Sequence, residues 1–309
     1  MTNLSKHFGG IVPPLCTPLT ESFEVDTQSL QRLIEFQLDA GVHGLFVLGS
    51  TGETAFLTDK QRATVLEVVV HTVAGQVPVL AGTVDMGTAR TLEHAQVAQR
   101  AGVDGIVVTA PFYTRIGQAE IVEHFRLVHS AVDLPMLAYD VPAAVHTKIT
   151  YETMLHLASA GLIVGVKDSS GDEANFRVLV MAQEDLNGFL TFTGSELLVD
   201  TALQMGASGA VPGLANVDPV GYSRLYRAAQ AGDWQTTRRE QERLFRLFSI
   251  VSVGTGGRMG IGSSAMGGFK TALLLRGVIG TNVVGRPMIR LNDEELGRVR
   301  QALVEAELL

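Results

Sequence analysis

The chain has 309 residues, 46% of them hydrophobic and 18% charged, with a net charge of −8. That length exceeds one small core and suits a large, well-cored α/β domain with an appendage. The acidic balance, with no local Lys/Arg cluster, argues against nucleic acid or an anionic membrane as partner, and the single Cys16 excludes an internal disulfide and a cysteine-based metal site.

The opening MTNLSKHFGG has no apolar core segment, so no signal peptide is expected, and no later stretch reaches a membrane-spanning length. A cytoplasmic protein is expected. The first strand is predicted over 10–16, running into Pro13-Pro14-Leu15-Cys16-Thr17-Pro18, where Cys16 reads as a small packed residue. Asp26 caps a predicted helix over 27–40, and Ala40-Gly41-Val42-His43-Gly44 leads into a strand over 44–49. Thr58 starts a helix over 58–74, followed by a strand over 78–83 and a helix over 87–101. Ala101-Gly102-Val103-Asp104-Gly105 repeats the earlier pattern before a strand over 105–110. A helix over 117–131, a strand over 135–140, a helix capped by Thr150 and a strand over 162–167 come next. Strands over 190–194 and 209–213 complete the set, the last preceded by a third echo, Met205-Gly206-Ala207-Ser208-Gly209. In each echo a helix ends on a glycine suited to the left-handed C′ position, and a short apolar strand begins.

Eight strand–helix units within residues 1–230 predict a (β/α)8 TIM barrel. A doubly wound sheet would carry a Gly-rich phosphate turn after its first strand, and here that turn is Pro-Leu-Cys-Thr-Pro. Residues 231–309 are read as a C-terminal helical domain, with helices over 233–250, 268–280 and 293–307 and a flexible Gly/Ser-rich connection at Gly254–Gly268. Within it Gly260–Ala265 formally spells G-x-G-x-x-A, but no strand precedes it; Gly267-Gly268-Phe269-Lys270-Thr271 fails the phosphate-loop spacing. Neither predicts a nucleotide site.

Catalytic side chains of such a barrel come from the C-terminal ends of strands and the loops after them. Strand two ends in Gly49-Ser50-Thr51-Gly52-Glu53, strand four in Pro111-Phe112-Tyr113, strand five in Tyr139-Asp140-Val141-Pro142 and strand six in Lys167; Val211, within strand eight, is a further substrate-binding candidate. Lys167 follows the apolar run Leu162–Val166. Desolvation there favours the neutral amine, a nucleophile that condenses with carbonyls to a Schiff base. Alternatively it reaches solvent, or pairs with Asp168 or Asp172. The 49–53 turn offers backbone N–H groups and two hydroxyls to a carboxylate, or is an ordinary βα turn with Thr51 as helix cap. Tyr139 lies one βα unit before Lys167, so their strands are expected to be neighbours about 5 Å apart. Tyr139 and Tyr113 taken singly are equally readable as packed or loop aromatics. Jointly these residues form a coherent site for a 2-oxo acid: the lysine attacks the keto carbon, the turn holds the carboxylate, and a tyrosine relays protons.

The four ordered motifs resemble the dihydrodipicolinate synthase / N-acetylneuraminate lyase family of pyruvate-dependent, Schiff-base-forming barrels, from about Gly9 to the C-terminal helices. Gly49–Glu53 is similar to the family's G-[ST]-T-G-E turn, Pro111–Tyr113 to P-Y-Y, Tyr139–Pro142 to Y-N-[VI]-P and Gly165–Asp168 to G-[IV]-K-[DE]. The resemblance implies Lys167 as Schiff-base nucleophile, Ser50 and Thr51 as carboxylate ligands, Tyr139 as proton carrier, and Tyr113 reaching a neighbouring subunit's site. It also implies a homotetramer built as a dimer of dimers, with no metal or organic cofactor. One departure bears on substrate. In dihydrodipicolinate synthases Y-N-V-P continues S-R-T-G, and that arginine binds the carboxylate of aspartate semialdehyde; here Ala144 takes its place. Alanine makes no bidentate carboxylate contact. The expected activity is therefore a lyase, aldolase or dehydratase, on a 2-keto-3-deoxy sugar acid, with lysine-biosynthetic condensation as the rival within the family and a non-catalytic oxo-acid sensor as the rival outside it. His146 is a candidate for lining the distal pocket, or a loop histidine without a catalytic role.

Overall fold

Prolines and glycines punctuate the apolar segments closely enough that the strands are short, and ring closure supplies the order that single strands lack. The computed structural model describes residues 8–186, 188–254 and 256–309; the leader expectation for residues 1–7 lies outside them. The strands are β1 (Gly10–Ile11), β2 (Leu45–Val47), β3 (Val79–Gly82), β4 (Gly105–Thr109), β5 (Met136–Asp140), β6 (Gly165–Asp168), β7 (Leu190–Thr193) and β8 (Gly209–Ala210). All pairings are parallel, in the order β1-β8-β7-β6-β5-β4-β3-β2. The ring closes between β1 and β2: the His43 N–H donates to the Ile11 carbonyl at 2.9 Å, the Phe46 N–H to Pro13 at 3.0 Å, and the Leu15 N–H to Phe46 at 2.8 Å. The predicted TIM barrel is the observed fold.

Helices α1 (Thr27–Asp39), α2 (Asp59–Val73), α3 (Thr88–Ala101), α4 (Gln118–Ala131), α5 (Pro142–Val145), α6 (Tyr151–Ser159), α7 (Glu173–Met181), α8 (Val199–Met205) and α9 (Pro219–Gln230) accompany the strands. Beyond them lie α10 (Trp234–Leu247), α11 (Ile261–Leu275) and α12 (Asp293–Glu305). Asp26, Thr58 and Thr150 each accept a backbone N–H at the start of their helices, as a cap does. Gly41, Gly102 and Gly206 take φ of 72°, 87° and 101°, the left-handed values the three echoes call for. One layer of apolar side chains fills the space between sheet and helices, and a second fills the barrel, with Val12, Phe46, Leu80, Val107, Leu137, Phe192 and Val211 among its members. No helix among the described residues is long and apolar enough to cross a membrane.

Four expected elements change their bounds. The first strand shrinks from 10–16 to Gly10–Ile11 and the last from 209–213 to Gly209–Ala210, because Pro13, Pro14 and Pro212 donate no N–H to a ladder. The helix expected over 268–280 runs from Ile261 to Leu275, so the second half of the supposed flexible connection is helical. Its glycines serve packing: a Cβ on Gly268 would stand 2.2 Å from the Ile250 carbonyl oxygen. The helix expected over 233–250 ends at Leu247 and tightens into a 3-10 turn over Phe248–Ser252.

His124 on α4 is buried, with Nδ1 2.9 Å from the Thr88 hydroxyl of α3. Burial pulls its imidazole from 6.5 to about 4. The neutral ring's contribution is complete above pH 6.5 and is lost as pH falls towards 4, about 3 kcal/mol in all. Urea unfolding at pH 7.5 and pH 4 should show His124→Gln losing about 3 kcal/mol less than wild type over that interval; equal losses would contradict the assignment.

Candidate active site

Strand register places the central pair. Tyr139 on β5 lies directly opposite Lys167 on β6, and alternation sends both side chains into the barrel while Asp140 and Asp168 point outward. Lys167 is 6% exposed. Its Nζ sits 4.2 Å from the centroid of the Tyr139 ring and 4.9 Å from that of Phe46. Neither aspartate that could have paired with it does so. Asp168 accepts the Ser170 N–H at 2.7 Å, and Asp172 caps α7 by accepting the Asn175 N–H at 3.1 Å. A carboxylate does act on it from the loop after β7. Burial raises the pKa of Glu196, the nearby Lys167 ammonium partly offsets this, and Oε1 accepts the Gly213 N–H at 2.8 Å. Below the ammonium, Val211, Phe192 and Phe46 help line an apolar cavity of about 10 Å³, room for one water at most.

The 49–53 turn follows β2. Ser50 is exposed and Thr51 half-buried. The Glu53 N–H donates to Ser50 at 3.0 Å, and Thr17 Oγ1 donates to the Gly52 carbonyl at 2.8 Å. Leu48 and Glu53, at either end, take left-handed φ of 57° and 60°, an unfavourable conformation for residues other than glycine. Thr51 is not a helix cap: the 3-10 turn that follows starts at Thr54 after Glu53. A cavity of about 200 Å³ opens beside the turn, lined by Ser50, Thr109, Phe112, Val141 and Ala144 among others, with no cationic side chain in its wall. Lys167 and Tyr139 do not line it.

Tyr113 is 91% exposed at φ 81° and stands away from its own barrel. Phe112 packs against the interior layer. His146 is an exposed left-handed residue closing α5 and does not line the cavity. The segment carrying α5 and Ala144 is pinned from outside the barrel: buried Asp140 accepts Lys148 Nζ at 2.5 Å and the Ile149 N–H at 3.0 Å. Among the described residues no cluster of three His, Cys, Asp or Glu side chains is arranged to hold a metal ion.

Sequence reasoning passed over two groups. Glu196 is an acid in the loop after the seventh strand, a signal the sequence carries. Lys270 of α11 forms a fully buried ion pair with Glu53; its signal was a lone charge in the mostly apolar Phe269–Leu275 run.

A parallel eight-stranded barrel with a buried lysine at the end of β6 defines the class: a TIM barrel with a lysine-centred site. The profile of the Dihydrodipicolinate synthetase family matches residues 7–306, and the chain belongs to that family of lyases. It is 34% identical over 300 residues to an uncharacterised DapA-like lyase of Halobacterium salinarum, covering 97% of this chain and 94% of the relative. It is 38% identical over 244 residues to 4-hydroxy-tetrahydrodipicolinate synthase of Exiguobacterium sibiricum, covering 79% and 83% of the two chains. Among solved structures, YagE of E. coli K12, a family member crystallised with pyruvate, superposes with a TM-score of 0.91 at 28% identity over 98% of this chain and 99% of that one.

Cys16 underlies the turn, and burial pushes its thiol up to about 12. The folded protein should therefore resist Ellman's reagent at pH 8 and release one equivalent per chain once unfolded in urea. Rapid reaction of the folded protein would contradict this packing.

Proposed function

We propose that the chain is a Schiff-base-forming lyase of 2-oxo acids, with pyruvate as product or donor. The observation that carries this reading is Lys167 itself: an interior ammonium between the Tyr139 and Phe46 rings, with no carboxylate within 4.0 Å among the described residues. A lysine held this way feels Glu196 only at longer range and has a hydroxyl-bearing ring beside it. Its neutral amine adds to the keto carbon, and the carbonyl oxygen leaves as water. The resulting iminium accepts the electron pair released when the bond beyond the neighbouring carbon breaks.

Gly49, Ser50 and Thr51 would hold the substrate carboxylate through N–H groups and hydroxyls. Tyr139 would carry the proton to or from the C4 hydroxyl, and Val211 would wall the pocket from below. The outward stance of Tyr113 supports its use in a neighbouring subunit's site, and so a homotetramer. The cation-free wall around Ala144 supports a substrate without a second carboxylate there, and so a 2-keto-3-deoxy sugar acid rather than aspartate semialdehyde. The competing reading, 4-hydroxy-tetrahydrodipicolinate synthase, is favoured by the names of several relatives.

Incubation with pyruvate and borohydride, followed by peptide mass spectrometry, should label Lys167, and Lys167→Ala should gain no adduct. An unlabelled wild type, or a labelled Lys167→Ala, would sink the mechanism. A sugar-acid panel scored for pyruvate release should find turnover, with Tyr139→Phe reducing kcat about 100-fold. Efficient condensation of pyruvate with aspartate semialdehyde would instead select the competing reading, and turnover of nothing would mark a sensor.

A further inference from the structure

The ion pair between Glu53 and Lys270 has no evident place in the fold's own energetics. Both side chains are fully buried. Taking two ions out of water costs several kcal/mol each, and a well-packed apolar pair often serves stability as well. Yet each charge here is further committed. Lys270 Nζ donates to the Val283 carbonyl at 2.8 Å, and Glu53 Oε2 accepts the Gly285 N–H at 2.6 Å. Gly285 is required at that contact, because a Cβ there would stand 2.8 Å from Phe56 Cβ and 3.1 Å from Glu53 Oε2. The arrangement grips one carboxylate from two directions, with a helix from one side and an extended segment from the other.

What is gripped is the last residue of the 49–53 turn. Glu53 sits at a left-handed φ of 60°, matched by Leu48 at 57° before the turn. Each such residue costs about 1–2 kcal/mol relative to its relaxed conformation. Strain of this kind persists only where surrounding structure over-determines it. The barrel contributes Thr17 on the Gly52 carbonyl, and the C-terminal segment contributes Lys270 and Gly285.

We propose that Glu53 and Lys270 are positioning residues, whose buried pair holds the 49–53 turn in the strained form that presents Ser50 and Thr51 to the substrate carboxylate. The C-terminal helices thereby set the affinity of the barrel for its oxo acid. The inference rests on the Schiff-base reading above. Neither residue is placed on the reacting atoms, so the imine-forming lysine remains competent when the pair is broken.

The test measures borohydride trapping of Lys167 against pyruvate concentration, with circular dichroism as the check on folding. The variants are Glu53→Gln, Lys270→Met, the double variant Glu53→Gln/Lys270→Met, which leaves no buried charge, and Gly285→Ala, which keeps both charges and crowds the carboxylate. In folded variants the half-saturating pyruvate concentration should rise at least about tenfold while the trapping rate at saturation stays within about threefold, the signature of lost ground-state binding. Folded variants with unmoved half-saturation would overturn the proposal. So would unfolding of all four, which would make the pair a structural element alone. A wild type that traps no pyruvate would refute the Schiff-base reading; a wild type that traps normally, beside unmoved variants, refutes only this inference.

Discussion

An ammonium group inside a β-barrel is the constraint on which the site depends. The interior of such a barrel is a packed layer of branched and aromatic side chains, and here Phe46, Leu80, Val107, Leu137, Phe192 and Val211 supply it. Lys167 takes a place in that layer with two ring faces for company. Contacts of a cation with aromatic faces return only about 0.5–2 kcal/mol each, less than full desolvation of a charge removes. Evolution of stability alone would put leucine or valine there. The parallel register of β5 and β6 sets Tyr139 opposite the lysine, so the barrel that buries the ammonium also sets a tyrosine ring beside it.

The second constraint concerns reach across the chain. The turn after β2 carries the groups suited to a carboxylate, but its backbone is strained at both ends. Beside Thr17 of the barrel, contacts made late in the sequence hold it, by Lys270 on α11 and by the segment at Gly285. Closing such long loops is entropically costly, and the return is a site whose first and last thirds are mechanically joined. The C-terminal helical extension thus backs the turn after β2.

Much of the architecture was legible because local physics repeats. Helix caps at Asp26, Thr58 and Thr150 and left-handed glycines at 41, 102 and 206 mark boundaries that depend on a few neighbouring atoms. Lys167 and Tyr139 were legible for a similar reason, since one βα unit between strand ends fixes neighbourhood. The errors share a cause. Pro13, Pro14 and Pro212 cut ladders that apolar runs alone extend, and the α11 glycines were read as flexibility when tertiary contact with Ile250 demands them. The Glu53–Lys270 pair was illegible as a pair, because nothing local links two charges so distant in sequence.

The central claim is that Lys167 and the 49–53 turn grasp the two ends of one small oxo acid. A crystal structure of the protein soaked with pyruvate tests it most directly. The account predicts continuous electron density from Lys167 Nζ to the C2 carbon of pyruvate, with its carboxylate on the Ser50 and Thr51 N–H and hydroxyl groups. Pyruvate bound away from Lys167, or joined to it with its carboxylate on other groups, would contradict the account.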